Sequence, residues 1–435
     1  MVFGTKYWQL LQLALNEKKS LDELLHRQSV KLRHLLAHAY RRIPFYRSKF
    51  KQVGFHPKDF KTLDDLKHLP IISKADFYER PSMDYIDRRI NSPEALIPIK
   101  TSGSSGQTLQ FFIDHRYDQF RKAQFLRPYL TNGQKMTDRV VSFSGRPRKR
   151  KKIFEHFLLL REKQIASHLD PEILLEMLSQ INPDIVRGYP SVLALVGARI
   201  LAQRPLIRYP KRVFTDSELL TPAMRRSIGT AFRREVIDIY GTLETDNIAY
   251  ECKHHCGYHM AIDCVIMEFL KNGHPVEPDG SGEIVCTVLE NFAMPFIRYR
   301  LNDFASYSVK PCPCGRKFPL LQRLEGRTHE YAVTITGERI STTSLLSELD
   351  RYAVSVEGFQ IVQEDFDRFH LFLIPGKLYG TSVAEQIRIS VANFFPEADV
   401  QITLVARLPQ EKSGKVMPFK SFVYRHRTET ILTQH

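Results

Sequence analysis

What the 435-residue chain lacks narrows its possibilities first. No apolar run approaches the ~20 residues a membrane-spanning helix needs. The opening Met1-Val-Phe-Gly-Thr-Lys-Tyr-Trp8 carries polar residues where a secretory leader has an unbroken apolar stretch, so a cytoplasmic protein is expected. The 6 cysteines all lie between Cys252 and Cys314; a secreted disulfide framework would spread them along the chain. No internal repeat or low-complexity segment stands out, and no nucleic-acid-binding motif is found. Acidic residues are outnumbered, 48 Asp and Glu against 63 Lys and Arg, for a formal net charge of +15. Such a field attracts phosphates of any kind. Its densest local source, Arg146-Pro-Arg-Lys-Arg-Lys-Lys152, reads either as a solvated loop or as a site for a phosphate-bearing substrate, an anionic membrane surface or a polymer.

With 43% hydrophobic and 26% charged residues the chain is ordinary globular material, too long for one compact core. In residues 1–60, Leu10, Leu11, Leu13, Leu21, Leu24, Leu25, Leu32, Leu35 and Leu36 recur at helical spacing. From about 95 to 325, strand-like runs such as Arg139–Phe143 and Asp184–Arg187 alternate with helical stretches such as Glu172–Ile181 and Val192–Gln203. That alternation predicts α/β layers. After about residue 328 the pattern restarts on a smaller scale: helices over Thr343–Tyr352 and Val383–Phe394, strands near Phe359–Gln363, His370–Ile374 and Val400–Val405. The expected organisation is a large domain, 1–325, and a small α+β lid-like domain, 326–435, with the boundary near Gly326-Arg327.

The chain is organised around Thr101-Ser102-Gly103-Ser104-Ser105-Gly106-Gln107-Thr108, set between the β-prone runs Ala95–Ile99 and Leu109–Ile113. A tight loop between strands can present several N–H and O–H groups to one anion, with glycine where backbone must approach it closely. Alone, the stretch is equally a Ser/Gly-rich surface turn. It is no Walker loop, because Gly106 is followed by Gln107 rather than Lys-Ser/Thr opening a helix. The stretch resembles the phosphate loop of the adenylate-forming, acyl-CoA synthetase superfamily. More narrowly it resembles the phenylacetate-CoA ligase branch, which also holds capsule-biosynthesis and coenzyme F390 synthetase-like members. His38–Arg47 and Leu69–Asp76 are similar to the N-terminal region of that branch.

Four further motifs stand in the family's order. Tyr240-Gly241-Thr242-Leu243-Glu244 follows the apolar run Glu235–Ile239, which places Glu244 just beyond a strand end. It resembles Tyr-Gly-x-Thr-Glu, in which the glutamate serves Mg²⁺ on the ATP phosphates and the tyrosine lies by the adenine. Leu243 stands where the family has threonine, so a hydroxyl contact is lost or shifted to Thr242. Arg298-Tyr-Arg-Leu-Asn-Asp303 resembles Tyr-Arg-x-Gly-Asp, whose carboxylate accepts both ribose hydroxyls; Asn302 replaces the glycine and tolerates positive φ. Glu325-Gly-Arg-Thr-His-Glu330 resembles the hinge motif Gly-Arg-x-Asp, which implies that Arg327 meets phosphate or ribose, with His329 at the aspartate's place. The resemblance implies that the small domain pivots there between two half-reactions. Leu408-Pro-Gln-Glu-Lys-Ser-Gly-Lys415 resembles the family's C-terminal lysine motif, which implies that Lys415 is the adenylation lysine, with more to do because Gln107 replaces the usual phosphate-loop lysine. Tyr189, Ser217 and Glu218 resemble the family's substrate and adenine segments. Each of these stretches is, by itself, also a plain turn or linker.

The cysteines form a separate signal, a zinc-like subsite within 252–314. Cys252-x3-Cys256-x2-His259 with Cys312-Pro-Cys314 supplies the four N/S ligands that tetrahedral zinc takes from two short clusters. Reduced cysteines without metal are the alternative. Resemblance to zinc-carrying members of the branch selects Cys252, His259, Cys312 and Cys314, with Cys256 spare; Cys264 and Cys286 lie in apolar runs and read as buried thiols.

The family implies attack of a carboxylate, aromatic by preference, on the α-phosphate of Mg·ATP, release of pyrophosphate, and capture of the acyl group by CoA thiol. Two rivals remain open: an adenylating enzyme with a non-CoA acceptor or one transferring AMP to a cofactor, and a non-catalytic anion-binding protein on the same fold. The acid and the oligomeric state are not legible; a homodimer is one expectation.

Overall fold

The computed structural model describes residues 3–91, 93–101, 109–145, 161–327, 331–336, 339–352, 355–410 and 416–423. The N-terminal leucines fall on helices α1 (Phe3–Asn16) and α2 (Leu21–Arg42), followed by α3 (Pro44–Gln52). The Ser20 hydroxyl caps α2 by accepting the Glu23 N–H at 3.2 Å. Asp22 and Glu23 in its first turn and Arg41 and Arg42 in its last complement the helix dipole. Ile43 is extended (φ −108°, ψ 110°) because Pro44 disfavours helical backbone in the residue before it. The proline then opens α3, where a missing N–H costs nothing.

A hairpin follows, β1 (Ile97–Lys100) antiparallel to β2 (Gln110–Ile113), with Lys100 opposite Gln110. The strands expected on either side of the Ser/Gly loop are therefore present, and Ser102–Thr108 lie outside the described residues. Helix α4 (His115–Thr131) begins at Asp114, whose carboxylate accepts the Tyr117 N–H at 2.7 Å. Then come β3 (Val140–Ser144), β4 (Glu162–Ala166), α5 (Pro171–Ile181), β5 (Ile185–Gly188), α6 (Pro190–Gln203), β6 (Arg212–Asp216) and α7 (Pro222–Phe232). The middle of the chain continues as β7 (Val236–Thr242), β8 (Asp246–Tyr250), β9 (Tyr258–Met260), β10 (Val265–Lys271), β11 (His274–Pro275), β12 (Ser281–Val288), β13 (Tyr299–Ser308) and β14 (Leu320–Arg327). The last stretch holds β15 (Tyr331–Val333), β16 (Arg339–Ser341), α8 (Thr342–Leu349), β17 (Val356–Gln363), β18 (Arg368–Pro375), α9 (Thr381–Ala392), β19 (Asp399–Leu404) and β20 (Phe419–Ser421). The helices and strands expected from periodicity are all found, with ends moved by a few residues.

These elements form two compact units, Met1–Gly133 with Ile239–Leu324, and Gln134–Asp238 with Glu325–His435. In the first, the strand order is β11-β10-β12-β13-β14-β9-β8-β7. The N-terminal segments brace the chain before β13. The Tyr46 hydroxyl donates to the Pro295 carbonyl (2.9 Å) and accepts the Ile297 N–H (3.0 Å). Ile72 brackets Tyr299, accepting the Arg300 N–H at 2.8 Å and donating to the Arg298 carbonyl at 2.9 Å. Arg127, fully buried on α4, is held by both oxygens of Asp263 at 2.9 and 2.8 Å, the pairing a buried charge requires.

In the second unit, β6-β5-β3-β4 are parallel, with α5, α6 and α7 packed on them through Leu174, Leu178, Val192, Val196 and Ile228. Parallel strands joined by helices are what the alternating pattern predicts. The same unit holds the order β19-β18-β17-β20 over a core of Leu345, Ile361, Leu371 and Val391.

Candidate active site

The turn Leu243-Glu244-Thr245 joins β7 to the antiparallel β8. A Cβ at Gly241 would lie 2.2 Å from the Asp246 carbonyl oxygen, so no other residue lets the two strands pass this closely. The pairing shifts between Tyr240 and Gly241, a bulge that re-aims the tyrosine. Its phenol donates to Asp303 Oδ2 at 2.7 Å. Asp303 is buried on β13, where Asn302 takes φ +60°, the left-handed backbone that glycine or asparagine adopts at low cost. There five residues of β13, Arg300 to Phe304, span what three residues, Glu283 to Val285, span on β12, so the left-handed residue sits in a bulge. Beside it, the Tyr299 hydroxyl donates to Glu244 Oε1 at 3.4 Å. Burial, and then the Glu244 charge, push the Tyr299 phenol well above its ordinary range, keeping it a donor.

Helix α4 supports this turn from 120 residues upstream in a way the sequence does not announce. Arg121 donates Nη2 to the Leu243 carbonyl at 2.9 Å and Nε to Asp246 Oδ2 at 3.2 Å. One turn on, Gln124 Nε2 donates to the carbonyls of Thr245 and Asn247, both at 3.0 Å. Leu243 itself is exposed. The hydroxyls present are Thr242 and the buried Thr245, 3.0 Å apart. Thr245 was not singled out by motif, and only its place two residues after Leu243 could have flagged it.

Thr101 anchors the mouth of the Ser/Gly loop: its hydroxyl accepts the Leu109 N–H at 2.9 Å, and its own N–H donates to the Leu109 carbonyl at 2.9 Å. In the second unit Ser217 is left-handed at φ +69°, and Glu218 accepts two main-chain N–H groups, from Ser191 at 3.1 Å and from Val416 at 3.0 Å. Val416 directly follows Lys415, which lies outside the described residues, as do His329 and the basic run 146–152. The Tyr189 hydroxyl accepts the Gly145 N–H at 3.4 Å. Arg327 ends β14.

The Cys/His expectation meets a cluster. One ligand atom each from Cys252, His259, Cys312 and Cys314 lies within 4.8 Å of the others. Cys252 and Cys312 sulfurs are 3.6 Å apart, and Cys314 Sγ is 3.2 Å from His259 Nε2. Tetrahedral zinc with bonds of about 2.0–2.3 Å needs ligand separations of roughly 3.3–3.8 Å, so the donor set fits that ion. Burial pushes the Cys252 thiol up and Cys312 to about 12, and with Arg316 it lowers His259 to about 4. A buried group of three thiols and a neutral imidazole is one that a divalent cation completes. Cys256 is exposed, and Cys264 and Cys286 are buried elsewhere, as expected.

No protein-family model matches the chain. Curated relatives do. It is 24% identical over 352 residues to a phenylacetate-coenzyme A ligase of Escherichia coli (strain K12), covering 77% of this chain and 78% of that one. It is 27% identical over 367 residues to the enzyme of that name from Pseudomonas putida, at 79% and 80% coverage. Among solved structures, a 2-hydroxyisobutyryl-CoA ligase in the postadenylation state superposes with a TM-score of 0.77 at 20% identity, over 96% of this chain and 94% of that one. An anthranilate CoA ligase with anthranoyl-AMP gives 0.55 at 15% identity, over 78% and 68%. The chain is thus similar to phenylacetate-CoA ligases over about three quarters of its length and shares the fold of adenylate-forming CoA ligases.

Where the chain departs from the motifs it resembles, its structure absorbs the change. Asn302 supplies the backbone of the missing glycine, and Thr245 lies beside Thr242 in the turn whose motif threonine is Leu243. The fold is the α/β one of adenylate-forming ligases, with a smaller C-terminal sheet. No helix among the described residues is long and apolar enough to cross a membrane.

Proposed function

We propose that the protein activates a carboxylic acid, aromatic by preference, as an acyl-adenylate at the expense of Mg·ATP and then passes the acyl group to the thiol of CoA. The observation that carries this reading is the convergence of two separate motifs: Tyr240 on Asp303, and Tyr299 on Glu244. A carboxylate held by one phenol keeps acceptor capacity for the ribose hydroxyls, which is the role assigned to Asp303. Glu244 offers one carboxylate to Mg²⁺, an ion that keeps several waters and takes its remaining ligands from phosphate oxygens. Mg²⁺ held there would neutralise charge on the triphosphate; Tyr299 orients the glutamate, and Tyr240 lies by the adenine.

Residues Thr101 to Gly106 and Thr108 embrace the phosphates, with Thr101 fixing the loop's base. Ser217 and Glu218 line the nucleotide and acid pocket, with Tyr189 beside them. Lys415, next to the Glu218-bound Val416, stabilises the charge that develops as the acid attacks the α-phosphate, and Arg327 meets phosphate or ribose. Residues 1–325 act as the large domain and 326–435 as the mobile one. Zinc on Cys252, His259, Cys312 and Cys314 is structural, since four protein ligands leave no open position. A cytoplasmic homodimer completes the proposal.

The deciding assay is acid-dependent ATP–pyrophosphate exchange over a panel of aryl and fatty acids, run beside Lys415→Ala. Exchange with one acid class that falls about a hundredfold or more in the variant supports adenylation and names the class. No exchange with any acid, together with no ATP binding, sinks the reading.

A further inference from the structure

The parallel layer of the second unit has two ends. Ser217, Glu218 and the starts of α6 and α7 lie where the strands finish, the end at which open α/β sheets place their ligands. The helix C-termini lie at the other end. There α6 stops at Arg204 and α7 at Arg233, both left-handed, at φ +50° and +52°. The two helices pack side by side: a Cβ on Gly197, midway along α6, would sit 3.0 Å from the Cβ of Ala231, in the last turn of α7. The loop after α6 is tied to the same end. The Arg208 N–H donates to Asn182 Oδ1 at 3.2 Å, and the Arg233 guanidinium lies 4.5 Å from the centre of the Tyr209 ring. Arg204, Arg208, Arg233 and Arg234, all exposed, are thereby gathered on one edge.

Cations outnumber acids on that edge. Asp138 and Asp184 are both engaged by Lys211, at 2.9 and 3.2 Å, with Arg208 3.4 Å from Asp184. Among the described residues no carboxylate pairs with Arg204, Arg233 or Arg234. In the loop between Arg204 and Arg208 stands Leu206, with relative exposure of 105%, so none of the described residues covers it. Leu201, on the last turn of α6, is also exposed.

We propose that this edge docks on an anionic phospholipid bilayer, with the arginines on lipid phosphates and Leu206 inserted among the acyl chains. Guanidinium forks match phosphate oxygens bidentately, where a lysine would offer only a point charge. A leucine placed in hydrocarbon loses its contact with water. An acidic protein is a poorer match, because a stable protein interface buries about 800 Å² per partner around an apolar core, and here one leucine projects from a collar of cations. The formal net charge of +15 adds long-range attraction to such a surface. Docking there does not involve the Ser217–Glu218 end of the layer.

The test floats the full chain with vesicles of phosphatidylcholine alone or mixed with phosphatidylglycerol. The expected result is binding to the mixed vesicles only, weakened by salt, and reduced about tenfold or more in Arg233→Glu/Arg234→Glu. Trp8 is the sole tryptophan, so Trp8→Phe/Leu206→Trp has one emitter at the insertion point. Its emission should shift to the blue on anionic vesicles and stay unchanged on neutral ones. Circular dichroism and thermal melts establish that both variants fold. Equal binding to neutral vesicles, binding untouched by the charge reversal, binding without the blue shift, or capture only by a soluble acidic protein overturns the proposal.

Discussion

The phenol of Tyr240 donates to the carboxylate of Asp303 at 2.7 Å, joining the β7–β8 hairpin to β13. Tyr240→Phe removes that donor from a buried acid, and losing one hydrogen bond to a charged group costs about 1.5–3 kcal/mol. The variant should bind ATP roughly ten- to a hundredfold more weakly while its melting temperature falls by only a few degrees, read by calorimetric titration and thermal melts. Unchanged ATP affinity would remove Asp303 from the nucleotide site.

Arg121 holds the Glu244 turn without touching the groups expected to react, since its contacts are the Leu243 carbonyl and Asp246. Arg121→Ala should raise the Mg²⁺ concentration that half-saturates pyrophosphate exchange several-fold at little cost in stability, whereas Arg121→Lys should recover part of the loss. If both variants show a wild-type Mg²⁺ dependence, Arg121 is structural only.

Metal removal separates the Cys/His cluster from ordinary buried thiols. The purified protein should carry about one zinc per chain by elemental analysis, and a chelator should lower its melting temperature by about 5 °C or more, because binding energy at a closed site is folding energy. Cys312→Ser should abolish retention, while Cys256→Ser should leave it intact. Zinc-free protein with full stability would assign the cluster to packing alone.

His38 Nε2 lies 2.9 Å from the Phe292 carbonyl and 3.4 Å from Asp87. Burial holds its pKa below the ordinary histidine value, although Asp87 pulls the other way. With the folded-state pKa depressed, the unfolded chain takes up the proton first as pH falls. This histidine's contribution is therefore present above about pH 6.5 and lost as pH falls through the folded pKa. Melting temperatures between about pH 7.5 and 5.5 should fall more steeply in the wild type than in His38→Gln. Equal slopes would exclude His38 as a source of the acid sensitivity.

The local order of this protein was legible in its sequence. Helix spacing gave α1 and α2, alternation gave the parallel β3–β6 layer, and two short Cys/His groups gave a cluster whose four members meet. These signals are local or depend on residue type: side-chain periodicity dictates which face is buried, and only a few residue types hold a metal. The tertiary structure decided what depends on segments meeting at a distance. No pattern near Arg121 or Gln124 announces that α4 grips a turn more than a hundred residues later. Only the structure shows that the Thr101 hydroxyl also accepts the Leu109 N–H at the base of the loop, and that Leu206 is an apolar residue left fully exposed. Hydrogen bonds and exposure depend on where atoms lie in space, and sequence spacing fixes that only within a helix, a hairpin or a turn.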